Sequence, residues 1–173
     1  MLNTINTANL SLSAAQWVGL GPFLILGAGI LLSMLLATVE FGFSGEATLK
    51  KHGSRLPLFL FSMAVVTLSG LWTATHWVHE PIQVFGGMMV LDYFSSFFFV
   101  LLCAATVLVL LGSYSYLDES EIHYSEFYPI IMSATLGMML LASTVELLMI
   151  FIAIELMSLM VYVLVGMRRM SAF

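Results

Sequence analysis

The stretch FIAIELMSLMVY, residues 151–162, lies inside an apolar run from 147 to 167 whose one acidic or basic residue is Glu155. A bilayer span needs about 20 apolar residues in succession, and this run has that length. It therefore reads as a membrane helix. A carboxylate at its centre costs about 2.5–3.5 kcal/mol on insertion scales, so something must offset Glu155.

The rest of the chain agrees. It has 173 residues, 61% hydrophobic and 9% charged, with a mean hydropathy of +1.05. A soluble domain is about 25% charged, so this chain could not cover its own surface in water. The composition predicts an all-α, polytopic helix bundle, a single membrane domain over residues 1–173. Five helices are expected near 17–38, 56–77, 93–111, 127–142 and 146–167, the fourth short and joined to the fifth by a tight turn. Helices are required because lipid offers a bare backbone no hydrogen bonds. The first run has no basic leader and is too long for a signal-peptide core, so it is expected to stay in the membrane.

Charge sets the orientation. The five basic residues, Lys50, Lys51, Arg55, Arg168 and Arg169, all fall on one side of a five-span chain. The positive-inside rule then predicts an outer N-terminus and a cytoplasmic C-terminus. The net charge of −5 comes largely from Asp118, Glu119, Glu121 and Glu126, in or beside the second cytoplasmic loop, which reads as solvated. Nothing suggests nucleic-acid binding. The single Cys103 can neither close an internal disulfide nor ligate an iron–sulfur cluster, which leaves it a packing role.

Local signals add detail. Gly86-Gly87 lies between two short β-prone runs in QVFGGMMVLD and predicts an outer hairpin near 84–91. Asp92 is placed to cap the third helix. Trp72, Trp77 and Tyr93 fall near the outer interface, where amphipathic rings prefer to sit. Gly29, Ser33 and Ala37, and Ser133 with Gly137, repeat small residues every fourth position and predict close helix approach. Ser143 and Glu146 have capping-box spacing at the start of the fifth helix. That reading makes Glu146 structural, against the alternative of a proton carrier.

Glu155 has no helix end nearby. Ser158 and Tyr162 follow it at i+3 and i+7 on one face, while Glu146, nine positions away, falls on the opposite one. The stripe is expected to face the bundle interior or a watery gap and to handle protons or ions; simple hydrogen bonding to a neighbouring helix, or to an assembly partner, is the competing reading. Glu126, just before FYPII, suits either the dipole of a helix start or proton uptake. His76 and His79 are expected on one helical face at the outer end of the second span, as an interfacial pair and not as metal ligands, since no third ligand is evident. No phosphate loop, dinucleotide fingerprint or catalytic triad pattern is present.

From Glu126 onward, EFYPIIMSATLGMMLLASTVELLMIFIAIELMSLMVYVLVG resembles the N subunit of bacterial NADH:quinone oxidoreductase, respiratory complex I, and its mitochondrial counterpart of the ND-two type. The acidic-Phe-Tyr opening, SATLGMM, the AST-turn and IELMSL followed by Tyr162 carry the match, and VFGGMMVLDYFSSFF is similar to the family's outer hairpin and third helix. The resemblance covers most of residues 84–169. It implies an antiporter-like membrane subunit that moves protons while quinone is reduced elsewhere in the enzyme. It also implies that Glu155 is the family's membrane glutamate, paired with a lysine on a later, broken helix, and that Glu126 matches an acidic position before the fourth helix. NADH, FMN, iron–sulfur clusters and quinone would belong to other subunits, with no cofactor or metal held by this chain. Its partners would be the other membrane subunits and the lipid of a bacterial inner membrane. Family members continue through helices that bear the lysines, whereas this sequence ends at GMRRMSAF. The chain is thus expected to be an N-terminal portion without a complete active site. A related antiporter or membrane-bound hydrogenase subunit, and a non-transporting assembly remnant, are the alternatives.

Overall fold

A computed structural model describes residues 13–43, 55–119 and 126–170; Lys50, Lys51 and Glu121 lie outside the described residues. Among the described residues five helices follow in order: α1 Ala14–Phe43, α2 Arg55–Thr75, α3 Tyr93–Glu119, α4 Phe127–Ser143 and α5 Leu147–Met170. Four are long and apolar enough to cross a membrane, and α4, at 17 residues, is the short one. Two strands, β1 Ile82–Val84 and β2 Met89–Leu91, form the expected hairpin between α2 and α3, with Val84 opposite Met89.

Its turn runs through Phe85, Gly86 and Gly87, all at positive φ (52°, 69° and 95°). Glycine takes this region without penalty, whereas the Cβ of Phe85 makes it costly. Val84 and Met89, buried on the inner face of the hairpin, hold the turn in place.

Two helix starts are fixed by reciprocal capping. At α1, Gln16 N–H donates to Ser13 Oγ and Ser13 N–H to Gln16 Oε1, at 3.3 and 2.9 Å. At α3, Ser95 N–H donates to Asp92 Oδ1 and Asp92 N–H to Ser95 Oγ, both 2.8 Å. Each supplies partners for amides that a helix start leaves bare.

The inner packing is dense where small residues fall. Ser33 and Ala37 of α1 are buried, and a Cβ on Gly29 would collide with Val65 of α2. Pro22 lies within α1 and leaves one gap in its hydrogen-bond ladder, since it has no N–H to give the Val18 carbonyl. Trp72 Nε1 of α2 donates to that carbonyl at 3.1 Å, and Ser69 Oγ donates to the Pro22 carbonyl at 3.2 Å. Gly21 leaves the room the indole occupies. Cys103 is buried against Gly70 with its Sγ 4.0 Å from Ser69 Oγ, as expected of a packing residue.

The hairpin gathers one end of the bundle. Gln16 Nε2 at the start of α1 donates to the Gln83 carbonyl at 2.8 Å. Between α4 and α5, Val145 N–H and Thr144 Oγ1 both donate to the Met88 carbonyl, at 3.2 and 3.1 Å.

Two expectations fail here. The chain leaves α2 at Thr75, whose hydroxyl bonds back to the Leu71 and Trp72 carbonyls, so His76 and His79 do not share a helical face. The Ser143–Glu146 capping box does not form either. Ser143 closes α4 and bonds back to the Met139 and Leu140 carbonyls, while the hairpin takes up residues 144 and 145. Helix α5 therefore starts at Leu147, and Glu146 itself stands at its N-cap, its carbonyl accepting from Ile150 N–H.

Candidate functional site

The helix that carries Glu155 is seated by small residues. A Cβ on Gly137 of α4 would lie 3.0 Å from Met157 N and 3.3 Å from the Ala153 carbonyl, so the two backbones all but touch. Ala153 is 1% exposed at this crossing. Ala153 and Met157 thereby fix which side of α5 meets the bundle. At about 100° per residue, Glu155 sits on the other side.

Glu155 is exposed, Ser158 half-buried and Tyr162 71% exposed, with exposed Leu148, Phe151 and Leu159 around them. The expectation of an inward stripe is therefore corrected. Within these five helices the stripe faces away from the bundle, because the Gly137–Ala153 approach leaves α5 no other orientation. Tyr162 and Glu155 keep the predicted common face.

The other candidates separate. Glu126 is exposed at the N-cap of α4, makes no capping hydrogen bond, and lies at the opposite end of the molecule from the hairpin. Glu146 is half-buried, on the side opposite Glu155, and its Oε2 is buried with no hydrogen-bond partner. His76 stacks on Trp72 with ring centres 4.4 Å apart, and His79 lies 6.4 Å from the Tyr93 ring. Among the described residues no three His, Cys, Asp or Glu side chains come together as a metal site.

One buried polar contact escaped the reading of the sequence. Thr106 Oγ1 of α3 and Thr135 Oγ1 of α4 are 2.8 Å apart in the interior. A threonine on an apolar helix gives no periodic signal, and only its pairing across helices marks it.

These features meet a set of known proteins. NADH-quinone oxidoreductase subunit N 2 of Koribacter versatilis is 48% identical over 134 residues, which cover 73% of this chain and 27% of that protein. Subunit N of Dehalococcoides mccartyi is 34% identical over 137 residues, 79% of this chain and 27% of that protein. Subunit N of Anoxybacillus flavithermus is 30% identical over 161 residues, 92% of this chain and 30% of that protein. The chain belongs to the family of NADH-quinone oxidoreductase subunit N.

No protein-family model matches it. The chain spans 27–30% of the length of these subunit N relatives, so most of each relative lies outside the matched portion. The outward face of α5 is a surface of the described helices. It carries a carboxylate, a hydroxyl and a phenol on a membrane helix, and such groups are expensive against lipid.

Proposed function

We propose that the chain contributes to proton translocation in an NADH-quinone oxidoreductase, with quinone reduction and the redox cofactors housed in other subunits. The observation that carries this is Glu155, an exposed carboxyl midway along a membrane helix, on a face no other described helix covers. A carboxyl there binds and releases a proton, and Ser158 and Tyr162 supply hydroxyls one and two turns along that can relay it. Glu126, exposed at the other end of the bundle from the hairpin, is the proposed point of proton uptake.

In this reading the chain lies in a bacterial inner membrane with its N-terminus outside and its C-terminus in the cytoplasm, as the basic residues favour. Its partners are the other membrane subunits, and it holds no complete active site. Glu155→Gln in the assembled complex tests the reading. Proton translocation should fall and coupled quinone reduction slow with it, while the complex still assembles. Full pumping by that variant would refute the role of Glu155, and loss of assembly alone would favour a structural part.

A further inference from the structure

Where Leu91 of the hairpin meets the bundle, α1, α2 and α3 surround a small cavity of about 10 Å³. That is room for about one water molecule and for nothing larger. The wall is not purely apolar. Thr73 of α2 and Ser95 and Ser96 of α3 line it, and all three are buried.

The hydroxyl protons of this wall are already placed. Thr73 Oγ1 donates to the Ser69 carbonyl at 3.1 Å, and Ser96 Oγ donates to the Asp92 carbonyl at 2.8 Å. Ser95 Oγ is used twice in the α3 cap, donating to the Asp92 carbonyl at 3.0 Å and accepting from the Asp92 N–H at 2.8 Å. A hydroxyl oxygen keeps two lone pairs after giving its proton, so Thr73 and Ser96 remain acceptors. An occupant of the cavity must therefore donate. A cation would also suit oxygen acceptors, but no acidic side chain among the described residues lines the space, and a cation buried without a counter-charge is costly. We propose that one ordered water is seated here, giving one O–H to Thr73 Oγ1 and the other to Ser96 Oγ, and so tying α2 to α3. About two to four polar partners hold a buried water, and these two suffice. Val18 and Pro22 line the same space, so the water lies beside the gap in the α1 ladder, whose carbonyl Trp72 Nε1 already serves. The site is independent of Glu155 and of its role in proton transfer.

Radiolytic hydroxyl-radical footprinting of the full chain in lipid nanodiscs tests this, because X-rays turn a confined water into a radical that marks the side chains around it. Leu91 lines the cavity and is 1% exposed, whereas Leu26 and Leu110, both 0% exposed, lie away from it. Oxidation at Leu91 should stand well above that at Leu26 and Leu110, leucines of equal chemistry and burial. Buried Phe99, also in the wall, should be oxidised with it. Thr73→Val with Ser96→Ala removes both acceptors, and Leu91 oxidation should then fall to the level of Leu26. Exposed Phe94 and Phe97 should stay marked as in the parent. Either substitution alone should give a partial loss, which carries the test if the double variant does not fold. Parent oxidation at Leu91 no higher than at Leu26 and Leu110 would overturn the site. Undiminished oxidation in the folded variants would overturn the hydroxyls as its seat and make bulk solvent the source. If added sodium ions erased the parent's mark at Leu91, a cation would hold the seat and the proposal would fall.

Discussion

Trp72 Nε1 on α2 donates to the Val18 carbonyl on α1 at 3.1 Å, the oxygen that Pro22 leaves without a helical donor. The hydrogen bond missing from one helix is thus supplied by a side chain of the next. Trp72→Phe keeps most of the ring and removes the donor, so it should destabilise the bundle by about 0.5–1.5 kcal/mol. With Pro22→Ala, which returns a backbone N–H to Val18, the same substitution should cost measurably less. A double-mutant cycle on thermal unfolding in detergent reads the difference, and additive effects would deny the link.

Gly137→Ala places a methyl 3.0 Å from Met157 N, against backbone that cannot rotate aside. We expect a loss of about 1–3 kcal/mol as α5 is pushed off α4. Gly112 and Gly166 have nothing within 4 Å of an added Cβ, so alanine at either should be neutral or stabilise by up to about 1 kcal/mol through helix propensity. Melting temperatures of the three variants separate steric from conformational effects.

Glu146 caps α5 poorly, with an oxygen buried and unpartnered. Glu146→Asp shortens the side chain to one that reaches the first-turn amides, and should stabilise by about 1 kcal/mol. Ser143→Ala should stay within about 0.5 kcal/mol of the parent, because Ser143 bonds only to carbonyls of its own helix. A large loss at Ser143 would restore the capping box.

Glu155→Gln alters an exposed side chain and should leave the stability of these helices within about 0.5 kcal/mol. Ala153→Leu, on the face pressed against α4, should destabilise by about 1–3 kcal/mol. Measured beside proton translocation, the contrast separates a transport defect from a folding one.

The elements legible in the sequence are those set by neighbours along the chain. Asp92 with Ser95, and Gly86-Gly87 between β-prone runs, needed only local geometry to act. Ser13 with Gln16 has the same capping signature and closes the same reciprocal pair. Ser143 with Glu146 carries it too, yet fails because the Met88 carbonyl claims the intervening backbone. The face of Glu155 was not legible either. Polarity placed Glu155, Ser158 and Tyr162 on one stripe, but the contact between Gly137 and α5, remote in sequence, decided where that stripe points.

The hairpin's grip on Gln16 and on residues 144 and 145 also has a mechanical side. It pins the outset of α1 and the α4–α5 corner at a common point, so any tilt of α5 would pivot there. At a rise of about 1.5 Å per residue the lever is about 36 Å long, and a tilt of about 5° would sweep its far tip through about 3 Å. Displacement would be smallest beside Met88 and greatest at Arg168, with Glu155 carried along between fulcrum and tip.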